Sequence, residues 1–297
     1  MIRDYLRQIY RNALPLLYAR SQFKLFLKAG LGDIELRMLA LASATDYFSN
    51  FVRAIPIRAP FGKSMVVIAP HQDDEAIGCG GALAQQASSG NAPSIVILQD
   101  GADGCEELGF TRQGMMEMRN EESRRAAAVI AASPVFLNHP VLADDASQIA
   151  ELADILIERN ADAVFIPFAL DGHRDHRTAN YILAGALRKI SWNVRVFGYE
   201  VWGMCIPNVV LIIDDVIETK TEMLRCFTFA NSALDYVNST LGLNMFHSRM
   251  LGAGTCRYAE RFFELPREEY IDLVGRIRAA ELPASSKTNH AKERVAR

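Results

Sequence analysis

The sequence lacks several features that would place it in a class at once. Its formal net charge is −3 and it has no basic stripe with interleaved aromatic residues, so no nucleic-acid partner is expected. No uninterrupted apolar run approaches the roughly 18 to 20 residues that span a bilayer, so no transmembrane segment is expected. The N-terminus also lacks an uninterrupted apolar segment of the secretory kind, which argues against export.

Cysteine is scarce and unevenly spaced. The five cysteines are Cys79, Cys105, Cys205, Cys226 and Cys256. Their number is odd and no two have CxxC spacing, which argues against a disulfide framework and against a zinc site built from cysteines. We therefore expect reduced thiols and a cytoplasmic protein.

The bulk composition is that of an ordinary globular protein. The chain has 297 residues, 50% hydrophobic and 23% charged, which fits one large domain with extensions or at most two domains. Residues 1–60 carry apolar positions at roughly helical spacing with Arg and Lys between them, which predicts a helical extension. This extension would pack on the main domain or on another subunit of an oligomer, or lie on a membrane surface as a peripheral contact. Residues 281–297 are polar and predicted to be a disordered tail.

Between these ends, in residues 61–280, short β-rich runs alternate with helical segments. The predicted strands are Met65–Ala69, 94–98, 135–137, Ala163–Pro167, 194–201, 209–213 and 261–264. The predicted helices are 79–88, 114–132, 149–159, 177–189 and 216–229. Such alternation indicates an α/β fold, a mostly parallel sheet with helices on both faces, in which ligands bind at the carboxyl ends of the strands.

The first polar cluster, residues 70–75 (PHQDDE), follows the strand Met65–Ala69 and opens a helix. One interpretation is structural, because acidic residues are favoured at helix N-termini. The glycine-rich residues 78–81 (GCGG) raise a second interpretation, a dinucleotide site. They lack GxGxxG spacing, and an acidic segment stands where a pyrophosphate would lie, so we rank that interpretation last.

The second polar cluster, residues 171–176 (DGHRDH), follows the strand Ala163–Pro167 in the same way. Here two histidines lie three residues apart with an acid between them. A structural alternative is a polar helix N-cap formed by Asp171 or Asp175. Two His/Asp clusters after two strands of one parallel sheet nevertheless converge on one crevice, which predicts a shared site.

The two clusters contain the ligands of a catalytic zinc site. Such a site uses three protein nitrogen or oxygen ligands and keeps a fourth position for water. His71, Asp74 and His176 can supply that set. The metal would lower the pKa of the water and polarise an amide carbonyl. Iron(II) or cobalt could occupy the same ligands.

Three further residues of the clusters suit proton transfer. Asp73 would lie beside the metal without coordinating it, where a general base is needed. His173 could stabilise the tetrahedral oxyanion or protonate the leaving amine. Asp175 could orient His173, and a carboxylate partner of that kind favours an imidazolium.

These clusters resemble the His-Pro-Asp-Asp-Glu and His-x-Asp-His motifs of the LmbE-like, or PIG-L, N-acetylglucosaminyl deacetylases. The resemblance implies a Rossmann-like α/β fold over about residues 65–264 and a zinc-dependent deacetylase. Its zinc ligands fall on His71, Asp74 and His176, and its general base falls on Asp73. The second catalytic histidine falls on His173 and the supporting aspartate on Asp175. Gln72 stands where the family usually has proline.

The resemblance implies removal of an acetyl group from an N-acetylated sugar or sugar conjugate. Asp100, Arg119 and Trp202 are the substrate-binding residues it suggests. Arg119 and Glu122 could instead form an intrahelical ion pair, and Trp202 could be a core aromatic residue. Two alternatives for the function remain, an amidase of another N-acylated small molecule or natural product and a non-catalytic protein that binds a sugar or metal.

Overall fold

The computed structural model of the protein describes residues 54–205, 207–252 and 254–281. The strands are β1 Ile55–Ile57, β2 Met65–Ala69, β3 Ser94–Gln99, β4 Pro134–His139, β5 Ala163–Pro167, β6 Arg195–Tyr199, β7 Val209–Ile212 and β8 Ala259–Pro266. The α-helices are α1 Asp74–Ser88, α2 Arg112–Ala128, α3 Ala146–Glu158, α4 Arg174–Leu187, α5 Ile217–Arg225, α6 Thr228–Ala233, α7 Tyr236–Ser248 and α8 Arg267–Glu281. A 3₁₀ turn, Arg249–Leu251, follows α7.

The eight strands form one sheet in the order β1-β7-β8-β6-β5-β2-β3-β4. Strand β8 runs antiparallel to both of its neighbours, β6 and β7, and every other pairing is parallel. The predicted α/β fold with a mostly parallel sheet is therefore confirmed.

The core lies on both faces of this sheet. Successive residues of β2 point to opposite faces, so that Val67 joins one apolar cluster with helices α1, α2 and α5, whereas Val66 joins another with α3, α4 and α8. Every residue of β2 and β5 is buried. Strands that are covered on both faces become continuous apolar runs, which explains the sequences MVVIA and AVFIP.

The prediction of a helical extension over residues 1–60 was wrong for residues 55–57. Ile55–Ile57 forms the edge strand β1, and Ile55 pairs in parallel with Val209 of β7. Proline is tolerated at a sheet edge, so Pro56 does not prevent this pairing. The partner strand β7 lies about 150 residues further along the chain. The spacing of apolar residues in residues 1–60 carries no information about pairing with so distant a strand. The rest of the predicted extension, and the predicted tail beyond Glu281, fall outside the described residues.

Three α-helices were not predicted from the sequence, α6, α7 and α8. The predicted helix 216–229 ends at Arg225, and α6 begins after a short break at Thr228. Helices α7 and α8 have weakly amphipathic sequences and pack on elements that lie elsewhere in the chain. Among the described residues, no helix is long and apolar enough to span a membrane. All five cysteines are free thiols.

Candidate metal site

The turn between β2 and α1 orients the first cluster. Helix α1 begins at Asp74, whose carboxylate accepts a hydrogen bond from the His71 backbone N–H at 2.9 Å. Asp73 has φ 112° and ψ −29°, a conformation that residues with a Cβ rarely adopt, and its side chain does not cap the helix. Its Oδ2 lies 3.5 Å from Nη2 of Arg119 instead. The Asp73 carboxylate is thus held toward the crevice at a cost in backbone strain.

The turn between β5 and α4 orients the second cluster. The N-cap of α4 is His173, whose Nδ1 accepts from the Asp175 N–H at 3.2 Å, so neither aspartate caps the helix through its side chain. Asp171 instead accepts three backbone hydrogen bonds, from His173 at 2.8 Å, Trp202 at 3.0 Å and Gly203 at 2.9 Å. This buried carboxylate joins the turn to the loop after β6.

The two clusters meet because β2 and β5 are neighbours in the sheet. Asp74 Oδ2 lies 3.3 Å from His71 Nδ1 and 3.2 Å from His176 Nε2. Tetrahedral zinc with bonds of about 2.0 to 2.2 Å holds its ligand atoms roughly 3.3 Å apart, so these separations match those of a shared metal. The imidazoles of His71, His173 and His176 also lie within 4.8 Å of one another, measured between nitrogen atoms that could bind a metal.

Each of the two imidazoles beside Asp74 has a second carboxylate at its other ring nitrogen. Asp175 Oδ2 lies 3.3 Å from His71 Nε2, and Asp171 Oδ1 lies 3.3 Å from His176 Nδ1. Outer carboxylates in this arrangement fix the orientation of metal-binding histidines. The contact of Asp175 differs from the predicted one, because its carboxylate reaches His71 and only its backbone N–H reaches His173. The sequence pattern had suggested at most a helix N-cap role for Asp171.

The carboxylates favour positive charge at this centre. Burial alone would lower the pKa of His176, but Asp74 and Asp171 outweigh it and raise that pKa to about 10. Likewise, Asp175 and Asp74 outweigh burial at His71 and raise its pKa to about 9. The nearby imidazoles hold the pKa of Asp74 well below its usual range, despite the opposing effect of burial. The carboxylates therefore favour positive charge on these two imidazoles.

The electrostatic environment of His173 differs from the predicted one. Burial lowers the pKa of His173, and the positive charges of His71 and His176 lower it further, with only partial opposition from Asp175. The neutral imidazole is favoured, not the predicted imidazolium. Because Nδ1 accepts the Asp175 N–H, the proton of the neutral ring is placed on Nε2.

The pKa of Asp73 shifts in the opposite direction to that of Asp74. Burial raises its pKa to about 7, Arg119 opposes this shift, and the charge of Asp74 adds to it. Arg119 also donates to the carbonyls of Gly101 at 3.1 Å and Gln72 at 2.8 Å. The intrahelical ion pair with Glu122, the structural alternative, is not what the structure shows: Glu122 is buried and accepts from the Phe229 N–H at 3.0 Å.

The other suggested substrate-binding residues have different environments. The Asp100 carboxylate is buried and bound by Arg112 at 2.6 Å, so it braces its own loop. Trp202 is 55% exposed and its ring meets Tyr236 edge-on, with centroids 6.2 Å apart. Tyr236 begins α7, which the sequence did not predict. Trp202 is therefore available at the surface and is not a core residue.

Gln72, the departure from the usual proline, has a clear structural place. Its buried side-chain amide donates to the carbonyls of Gln99 and Asp100 at 3.3 Å and to Oδ1 of Asn120 at 2.9 Å. Its Oε1 would lie 2.2 Å from a Cβ at Gly101, which has φ 67°. Gln72 thus fixes the loop after β3, and glycine at 101 leaves room for it.

The residues present fit a divalent metal. Both ring nitrogens of His176 are fully buried without a hydrogen bond of good geometry, and nitrogen and carboxylate donors are suited to zinc and related ions. Fold and site together define an α/β protein with an imidazole and carboxylate cluster at the carboxyl ends of its central strands.

Comparison with known proteins shows which family the central part of this chain resembles. Residues 66–187 match the sequence model of the PIG-L family, described as GlcNAc-PI de-N-acetylase. The resemblance carried by the two motifs is therefore confirmed. A diacetylchitobiose deacetylase of Thermococcus kodakarensis is 26% identical in an alignment of 154 residues, and the match covers 46% of this chain and 58% of that protein. The match thus spans little more than half of that relative.

Solved structures share the fold. The N,N'-diacetylchitobiose deacetylase of Pyrococcus horikoshii matches with a TM-score of 0.63 at 20% identity, over 80% of this chain and 96% of that one. A 4-carboxy-2-hydroxymuconate hydratase of Pseudomonas putida matches with a TM-score of 0.60 at 23% identity, over 69% of this chain and 96% of that one. Proteins with different reactions thus share this fold, so the reaction has to be argued from the site.

Proposed function

We propose that the protein is a metal-dependent hydrolase that removes the acetyl group from an N-acetylated sugar or sugar conjugate. The observation that carries this proposal is the placement of the Asp74 carboxylate between His71 and His176. The carboxylate of Asp73, which does not cap α1, lies beside them. The PIG-L family match and the deacetylase relative support the choice of an N-acetyl amide.

In this proposal His71, Asp74 and His176 hold the metal, and Asp171 and Asp175 orient the two imidazoles. Zinc is the metal that this ligand set suits best, with Fe²⁺ as the alternative. When bound, it supplies Lewis-acid polarisation of the amide carbonyl and activation of water. The remaining steps fall to side chains that do not coordinate it.

Asp73 is the proposed general base. Its pKa of about 7 matches the task, because a base titrating near the working pH can take a proton from water and later return it. Arg119, 3.5 Å away, holds the carboxylate in place and favours its ionised form. The proton that Asp73 gains is then available to the departing amine.

His173 is the proposed oxyanion stabiliser. A neutral imidazole with its proton on Nε2 donates one hydrogen bond while the tetrahedral intermediate forms. Its lowered pKa favours the neutral form, and the proton on Nε2 makes that form a hydrogen-bond donor. The predicted acid role of His173 would need the imidazolium form, which the lowered pKa disfavours, so delivery of the proton to the amine is assigned to Asp73.

For the sugar, we propose the corner formed by Trp202 and Tyr236. The exposed indole offers an apolar face of the kind on which a sugar ring can stack, and the Tyr236 ring stands edge-on to it. Burial raises the pKa of Tyr236, the charge of Asp73 adds to this shift and Arg119 opposes it, so the corner lies within electrostatic reach of the proposed base. Arg119 itself contacts Asp73, at 3.5 Å.

The test is an amine-release assay with the protein loaded with Zn²⁺. The panel should contain N-acetylhexosamines, their nucleotide and lipid conjugates, and N-acetylglucosamine oligomers. We expect Asp73→Asn to retain the metal and to lose about 10² to 10⁴ in kcat, the scale of general acid–base catalysis.

The matched control is Asp145→Asn. Asp145 caps α3 away from the site, and asparagine caps a helix equally well, so kcat should not change. Loss of metal and activity together in Asp73→Asn would make Asp73 a ligand. Full activity of the wild type after exhaustive chelation would refute the metal mechanism.

A further inference from the structure

Helix α1, which carries Asp74 at its start, is broken one turn later. Cys79 has φ −144° and ψ 26°, which are not helical, so the helix consists of a first turn and a longer second segment that begins at Gly80. A break of this kind needs an identifiable cause, and no proline lies in this helix.

A buried ion pair occupies the break. In a regular helix the Gly81 N–H would bond to the Ile77 carbonyl. Here the Gly81 N–H donates to Oε1 of Glu260 at 2.7 Å, and the Ile77 carbonyl accepts from Nζ of Lys220 at 3.0 Å. The ammonium and the carboxylate are themselves 2.6 Å apart. The ion pair therefore stands in the place of one backbone hydrogen bond.

The signs of the two charges match the two helix ends that the break creates. The Glu260 carboxylate also accepts from the Ala82 N–H at 2.9 Å, so the anion lies at the N-terminus of the second segment. The Lys220 ammonium lies at a free carbonyl, the C-terminus of the first turn. Each charge thus complements the dipole it faces. Both side chains are fully buried.

The glycine-rich residues 78–81 are explained by the same arrangement. A Cβ at Gly78 would lie 2.0 Å from the Tyr199 ring, and one at Gly80 would lie 3.0 Å from the Lys220 side chain. A Cβ at Gly81 would lie 2.5 Å from the Ile213 side chain and 3.0 Å from the carboxylate of the ion pair. These glycines allow close packing around the break. None of them has a positive φ, and they lie within α1, not in a phosphate-binding loop.

We propose that Lys220 and Glu260 are positioning residues for the metal site. A buried ion pair is a poor way to gain stability, because apolar residues of similar size stabilise a core as well or better. This pair instead supplies hydrogen-bond partners for the two backbone groups at the break, the Gly81 N–H and the Ile77 carbonyl. These partners fix the first turn, with Asp73 and Asp74, independently of the rest of the helix. This inference rests on the proposed function.

The test measures metal binding without substrate. The neutral double variant Lys220→Met/Glu260→Gln avoids leaving one buried charge unpaired. We expect it to raise the Kd for Co²⁺ by about 10- to 100-fold, the range found when groups behind the ligands are changed, and to shift the visible absorption bands of the bound ion. Gly80→Ala, which crowds the Lys220 stem, should raise the Kd in the same direction but less.

The control is Leu83→Ala in the second segment of α1. Leu83 is buried in the same core, so its truncation destabilises the helix without touching the break. Leu83→Ala should leave the Co²⁺ Kd and spectrum unchanged. An unchanged Kd and spectrum in the folded double variant would overturn the positioning role. If the double variant does not fold, an unchanged Kd in Gly80→Ala would do so. If the wild type binds no Co²⁺, the proposed function fails and this inference fails with it.

Discussion

At the scale of single residues, the site depends on a strained aspartate. Asp73 combines a positive φ of 112°, a carboxylate that is mostly buried and a pKa raised to about 7. Each of these features costs stability, and none contributes to capping α1. Strain and burial that the fold does not require are typical of residues kept for chemistry.

Asp73→Gly should therefore stabilise the metal-free protein and abolish hydrolysis. Relief of backbone strain of about 1 to 3 kcal/mol exceeds the extra unfolded-state entropy of glycine, about 0.5 to 1 kcal/mol. We expect the free energy of unfolding in urea to rise by roughly 1 kcal/mol. Ala131→Gly, at φ 54°, is the control and should not affect activity. A less stable Asp73→Gly protein would show that the residue serves the fold.

At the scale of elements, the site is held by connections between loops that follow different strands. Asp171 ties the β5–α4 turn to the loop after β6 through the backbone of Trp202 and Gly203. The same carboxylate faces His176, and the charges of that imidazole and its backbone donors keep the pKa of Asp171 low against the effect of burial. The proposed metal ligand His176 and the loop that carries Trp202 thus share one brace, Asp171.

Asp171→Asn tests this brace. The amide keeps an acceptor oxygen but loses the negative charge opposite His176. We expect the Kd for Zn²⁺, measured by competition with a chelator, to rise about 10- to 100-fold. Asp145→Asn should leave it unchanged. If Asp171→Asn binds Zn²⁺ as tightly as the wild type, Asp171 acts on the loop alone.

At the scale of the whole molecule, a buried cluster of ionisable side chains makes the free energy of unfolding depend on pH. His247 of α7 is buried with Nε2 3.1 Å from Glu200, and Glu200 is bound by Arg261 at 2.6 Å. Burial lowers the pKa of His247 to about 3, and the charges of Arg261 and Lys220 contribute to this shift. The folded protein therefore keeps this imidazole neutral.

The direction of the resulting pH dependence follows from linkage. Between pH 6.5 and about 3 the unfolded chain binds a proton at His247 that the folded chain does not. The stability that neutral His247 contributes is complete above pH 6.5 and is lost as the pH falls through that window. His247→Gln removes this dependence. When the pH is lowered from 7 to 5, the free energy of unfolding in urea should fall by about 2 kcal/mol more for the wild type than for the variant. A constant difference would contradict the assignment.

The alternation of strands and helices and the two polar clusters could be read from the sequence. Both are local features: apolar runs of five residues for β2 and β5, and motifs of six residues directly after them. The convergence of the two clusters followed from a general property of parallel sheets, because the carboxyl ends of the strands share one edge. The candidate ligands His71, Asp74 and His176 could therefore be named without coordinates.

Pairings between distant residues needed the tertiary structure. Spacing places Asp175 beside His173, but the turn geometry directs its carboxylate to His71 and leaves Asp171 to His176. The ion pair of Lys220 and Glu260 enters a helix more than 130 residues earlier in the chain. Sequence periodicity reports which face of an element is buried, and it carries no information about which distant side chain fills a given gap. The sequence by itself determined the chemistry available, and the packing of the sheet and its helices decided which groups act on one another.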